Sequence, residues 1–75
     1  MNQFLEFLQC REEFVFWYCG VRYEIIYENG GQLLLFQGNP PENLVAKYKD
    51  TKDFLERGSI CGKTITGIAP DVQFS

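Results

Sequence analysis

Apolar residues in the first eleven positions recur at the spacing of an α-helix, with polar residues opposite. They fall on one arc: Met1, Phe4, Leu5, Phe7 and Leu8. Asn2 precedes the arc and has a short polar side chain of the kind that caps helix N-termini. A membrane-surface anchor would need basic residues on the polar face, and only Arg11 lies there. The pattern therefore predicts an N-terminal amphipathic helix that packs on a core.

Two stretches rich in aromatic and β-branched residues follow, at 12–18 and 21–28, and such residues favour strands. The Cys19-Gly20 pair between them fits a two-residue hairpin turn. Asn29-Gly30 is a stronger turn signal of the same kind and precedes a third apolar stretch at 32–37. This succession predicts an antiparallel three-stranded meander.

A two-residue first turn determines the register of the first hairpin. One side of the sheet then becomes the core face, with the pairs Tyr18–Val21, Phe16–Tyr23 and Phe14–Ile25, followed by Tyr27. The opposite face pairs Trp17 with Arg22 and Val15 with Glu24, and it also carries Ile26. This second face is mixed in polarity, as expected for a face in contact with solvent.

The third strand has two possible registers. A two-residue loop, Asn29-Gly30, brings Leu34 and Phe36 to the core. A three-residue loop that includes the next glycine brings Leu33 and Leu35 there instead, because a slip of one residue turns every side chain to the other face. Both registers leave apolar side chains on the second face of the sheet.

The segment 44–49 has two interpretations. The prolines before it and a capping-box pattern favour a helix. Alternation of apolar and polar residues favours a fourth strand, in which lysines at the sheet edge discourage further pairing. Asp50 or Thr51 then begins a short helix that runs through Arg57 and ends at Gly58.

The tail at 59–75 supplies apolar anchors and one helical turn near 64–68; the anchors are Ile60, Ile65, Ile68, Val72 and Phe74. The predicted fold class is therefore α+β. We expect an antiparallel three- or four-stranded meander sheet with an N-terminal helix and a short helix near residues 51–57. Residues 1–75 form a single domain in this prediction.

Charge and cysteine content narrow the possible functions. The formal net charge is −3 and the seven basic residues are scattered, so a basic patch for nucleic acid is not expected. No segment approaches the roughly 20 apolar residues of a membrane span. Cys10, Cys19 and Cys61 lack a C-x-x-C spacing, which indicates buried thiols in a reducing cytoplasm rather than a disulfide framework.

No motif in the sequence predicts catalytic, cofactor-binding or metal-binding residues. The segment 58–64 is similar to a phosphate-binding P-loop, but three residues separate its glycines where that loop needs four. The chain has no histidine to activate a nucleophile or to complete a zinc site. We therefore expect no enzyme activity, no cofactor and no metal.

The predicted interaction patch consists of Val15, Trp17, Arg22 and Ile26. Apolar residues gathered on the non-core face have two explanations: the N-terminal helix covers them, or another protein chain does. The sequence thus favours a non-enzymatic protein–protein interaction module that binds an unidentified protein or self-associates. A nucleic-acid-associated regulator is the alternative, and a small-molecule enzyme is a more distant one.

Residues 11–25, REEFVFWYCGVRYEI, resemble the opening hairpin of small uncharacterised single-domain proteins from Gram-positive bacteria and their phages. The similarity continues at 48–55 and 60–65 and touches about half of the chain. The usual Gly-Lys turn of those proteins is Gly20-Val21 in this sequence. The resemblance implies a sheet-plus-helix fold and a bacterial or phage origin, and it implies no activity.

Overall fold

The computed structural model describes residues 2–74 apart from the side chain of Asn29, so the predicted places of Met1 and Ser75 lie outside the described residues. The regular elements in chain order are α1 (Gln3–Gln9), β1 (Phe14–Tyr18), β2 (Val21–Tyr27), β3 (Leu33–Gln37), β4 (Leu44–Tyr48), α2 (Thr51–Arg57), β5 (Ser59–Ile60), β6 (Lys63–Thr64) and α3 (Ile65–Ile68). The predicted α+β fold with an antiparallel meander is confirmed, and the sheet has four strands in the order β1-β2-β3-β4.

The first hairpin has the predicted register. Phe16 pairs with Tyr23 and Trp17 pairs with Arg22, with the two-residue turn Cys19-Gly20 between the strands. Both turn residues have positive φ, which matches the right-handed twist of the flanking strands. The alternation of side chains along β1 and β2 therefore separates a core face from an outer face, as expected.

Of the two registers that the sequence left open for the third strand, the structure has the one with the three-residue loop. Tyr27 pairs with Leu33, and the Glu28 N–H donates to the Gln32 carbonyl at 2.9 Å across the loop 29–31. The second glycine, Gly31, adopts a φ of 85°, which lets the loop include a third residue before the strands pair. Leu33 and Leu35 consequently join the core cluster, and their neighbours in the strand turn to the other face.

The fourth strand, β4, confirms the strand interpretation of 44–49 over the helix. Its pairing with β3 is interrupted because Phe36 pairs with Leu44 whereas Leu35 pairs with Ala46, so Val45 is an extra residue in a β-bulge. β4 is an edge strand without a neighbour on its outer side among the described residues.

All three helices contribute their buried residues to one core on the inner face of the sheet. These residues are Phe4 and Leu8 in α1, Phe54 in α2, and Ile65 and Ile68 in α3. The Phe4 ring lies 4.9 Å from the Phe16 ring, and Phe54 lies 5.1 Å from Tyr48. Helices of four to seven residues are unstable alone, so this packing maintains them.

Side-chain caps begin each helix where the sequence places a short polar residue. Asn2 accepts from the Leu5 N–H at 3.2 Å, and Asp50 accepts from the Asp53 N–H at 2.8 Å. The two caps satisfy backbone donors that lack a partner within the helix. Asn2 is confirmed as the cap of the first helix, and Asp50 rather than Thr51 caps the second. None of the helices within residues 2–74 is long and apolar enough to cross a membrane.

Candidate protein-interaction surface

The sheet face opposite the helices, here named the outer face, carries all four residues of the predicted patch. Strand register places these residues on it: Val15, Trp17, Arg22, Glu24, Ile26, Leu34, Phe36, Leu44 and Lys47. The four patch residues, Val15, Trp17, Arg22 and Ile26, are each half-buried. They lie close together because two adjacent strands present every second side chain to the same side.

The N-terminal helix does not cover this surface. Phe4 of α1 lies 5.8 Å from the Phe14 ring and 4.9 Å from the Phe16 ring, both on the inner face. Phe7 of the same helix lies 5.1 Å from Phe14. The explanation in which α1 buries Trp17 is therefore wrong, because its apolar stripe meets the denser aromatic cluster inside. Within residues 2–74 no helix packs on the outer face.

Two further apolar residues of β3 form the centre of the outer face. Leu34 and Phe36 are each 5% exposed, yet they do not belong to the core cluster that the helices share. Leu34 pairs with Ile26, and Phe36 pairs with Glu24 on β2 and Leu44 on β4. Both side chains are therefore buried on the outer face, separately from the core cluster.

Leu44 and Val45 extend the apolar surface to the free edge of the sheet. They are 43% and 54% exposed, and they are the exposed large hydrophobic residues of the described chain. Strict alternation along a strand would place Leu44 on the same side as Ala46, but the bulge at Val45 turns Leu44 to the outer face. A pair of adjacent aliphatic residues at the start of an edge strand was the signal that could have revealed them.

The charged side chains at the centre of the outer face neutralise each other. Arg22 Nη2 lies 2.9 Å from Glu24 Oε1, and Arg22 Nη1 donates to the Gly38 carbonyl at 2.6 Å. The pair is partly exposed, so its contribution to stability is small. Its effect is to hold the Arg22 side chain in place beside Trp17, its partner in the register.

The backbone of Trp17 is fixed by the C-terminal segment. Its N–H donates to the Gln73 carbonyl at 2.8 Å, and the Gln73 N–H donates back to the Trp17 carbonyl at 2.8 Å. This bridge occupies part of the outer edge of β1. The two edges of the sheet therefore differ. The C-terminal segment partly pairs the β1 edge, whereas no strand among residues 2–74 pairs the outer side of β4.

The segment that is similar to a P-loop does not form a phosphate cradle. Residues 59–64 make the short antiparallel hairpin of β5 and β6, with Cys61-Gly62 as its turn. A P-loop instead leads from a strand into the N-terminus of a helix, where several N–H groups converge. Within residues 2–74 no three metal-binding side chains are grouped to hold a metal ion.

In comparisons with known proteins, no family model, no curated protein and no solved structure matched the chain. The resemblance of residues 11–25 to small proteins of Gram-positive bacteria and their phages therefore stays a prediction. The outer face, continued by the free β4 edge, is the candidate functional site.

Proposed function

We propose that this chain is a non-enzymatic protein–protein interaction module, and that its partner binds the outer face together with the β4 edge. The observation that carries the proposal is the exposure of Leu44 and Val45 beside Phe36, on a face that no described helix covers. Contiguous apolar surface of this kind marks interaction sites more often than it occurs by chance.

The residue types of the outer face suit an interface. Trp and Arg are enriched among the residues that dominate binding energy, and Trp17 and Arg22 are direct neighbours on this face. Full burial of a Val or Leu side chain is worth about 1.5–3 kcal/mol. Leu44 and Val45 are about half exposed, so covering both contributes roughly 1.5–3 kcal/mol in total.

The partner that fits this surface is a protein that adds an extended strand along β4. A free edge offers unpaired backbone donors and acceptors, and strand addition uses them for affinity. Lys47 is exposed on the outer side of β4, where its charge discourages unselective pairing and favours an added strand that carries a carboxylate. The alternative function, a nucleic-acid-associated regulator, gains no support, because Arg22 is paired with Glu24. The cysteine pattern supports a cytoplasmic setting for the interaction.

Site-specific photo-crosslinking tests the proposal. A benzophenone amino acid replaces Val45 on the β4 edge or Thr66 on α3, and both positions are exposed. We expect position 45 to capture a protein partner that position 66 does not. The captured partner is then purified, and its affinity is measured by calorimetry for wild type, Val45→Lys and the matched control Thr66→Lys.

A lysine at position 45 places charge in the apolar contact, so we expect Val45→Lys to weaken binding about tenfold or more, which corresponds to about 1.4 kcal/mol. Trp17→Ala should also weaken binding while the chain stays folded. Thr66→Lys should bind as wild type does. Equal affinity of wild type, Val45→Lys and Trp17→Ala for the partner would contradict the proposed surface.

A further inference from the structure

Two hairpin turns of this protein have the same unusual composition and geometry. Cys19-Gly20 joins β1 to β2, and Cys61-Gly62 joins β5 to β6. Cys19 has a φ of 52° and Cys61 a φ of 54°. At this turn position Asn, Asp and Gly are preferred, because other side chains pay a conformational cost at positive φ. Turn geometry alone therefore does not account for cysteine at these two positions, and a role of the thiol groups does.

The two turns lie at the same end of the molecule. Cys19 and Tyr18 line a cleft of about 470 Å³ together with Lys63, which follows the Cys61-Gly62 turn directly. Both cysteines are exposed and unbonded, as is Cys10, so the prediction of buried thiols is wrong. Burial raises the pKa of the Tyr23 phenol, and the Cys61 thiol beside its hydroxyl and the Cys19 thiol nearby raise it further. The cleft therefore places the Cys19 turn beside Lys63, two residues after Cys61.

We propose that Cys19 and Cys61 form a redox-active dithiol site, which small-molecule disulfides such as oxidised glutathione convert into one intramolecular disulfide. One cysteine thiolate attacks a glutathione sulfur, forms a mixed disulfide and releases one reduced glutathione. The second cysteine thiolate then attacks the protein sulfur of that mixed disulfide and releases the second glutathione. The protein loses two hydrogens, and one oxidised glutathione becomes two reduced molecules.

The geometry explains why this pair reacts together. A disulfide needs Cα atoms about 4.4–6.8 Å apart, so the proposed bond requires the two turns to come within that range. The β5–β6 hairpin has two residues in each strand, and few hydrogen bonds oppose a movement of its turn. Cys10 lies at the end of α1, on a separate element, and serves as an internal control.

Peptide mapping tests the proposal without any substitution. Trypsin cleaves after Arg11, Arg22, Arg57 and Lys63, which places the three cysteines in separate peptides: 1–11, 12–22 and 58–63. The folded protein is incubated with oxidised glutathione, remaining thiols are alkylated, and the digest is analysed by mass spectrometry. We expect peptide 12–22 joined to 58–63 to exceed every other joined pair by about tenfold, because the two thiols have a high effective concentration.

Two substitutions extend the test. Cys10→Ser should form the same joined peptides as wild type, whereas Cys61→Ser should carry only glutathione adducts. The same oxidation in 6 M guanidinium chloride should abolish the preference if the fold creates it. Glutathione adducts alone on the folded wild type, or joined pairs that include Cys10 at equal abundance, would overturn the proposal.

Discussion

Replacement of Phe16 by alanine should remove a large part of the stability of this protein. Phe16 is fully buried on the inner face, and its ring lies 5.3 Å from Tyr23, 4.9 Å from Phe4 and 5.8 Å from Phe14. Phe-to-Ala changes in a packed core cost about 3–5 kcal/mol. At 0.05–0.15 kcal/mol per residue, 75 residues give a total stability of about 4–11 kcal/mol.

Val15 provides the matched control, because it precedes Phe16 in the same strand and points to the outer face. Val15→Ala removes two methyl groups from a half-buried site, and we expect a loss of about 1 kcal/mol or less. Urea denaturation followed by circular dichroism measures both variants. Phe16→Ala should either be unfolded in water or have a urea midpoint far below that of Val15→Ala. Equal losses at the two positions would refute the assignment of inner and outer faces.

Two further predictions concern α2 and the residue that follows it. Gly58→Ala should cost about 1–3 kcal/mol, because the added Cβ would clash with the Phe54 carbonyl oxygen. An unchanged melting temperature would contradict this packing. A hydrogen bond from Arg57 lowers the pKa of Asp53 from 3.8 to about 2. The stabilisation by this carboxylate is therefore present above about pH 4 and disappears as the pH falls through 2. The difference in free energy of unfolding between wild type and Asp53→Asn, measured by urea denaturation, should be constant near neutral pH and become small at pH 2. A difference that persists at pH 2 would disprove the Asp53–Arg57 pairing.

Local sequence determined the elements whose signals lie within a few residues of one another. The spacing of Phe4 and Leu8 after the Asn2 cap gave α1, and Asp50 with a following apolar turn gave α2. The first hairpin followed because a two-residue turn and strict alternation leave one register. That register also placed the four residues of the predicted patch on one face, which is the part of the candidate site that sequence alone could predict.

Only the tertiary structure decided the features that depend on contacts between distant residues. Both glycines after Asn29 tolerate positive φ, so loop length was open until Leu33 and Leu35 met the helices in the core. The side of the sheet that α1 covers was settled by the contacts of Phe4 and Phe7 with Phe14 and Phe16 of β1. The bulge that exposes Val45 depends on how β4 pairs with β3, and Gln73 pairs with Trp17, which is far from it in the chain. Such pairings satisfy the backbone groups of a folded sheet, a requirement that no short stretch of sequence records.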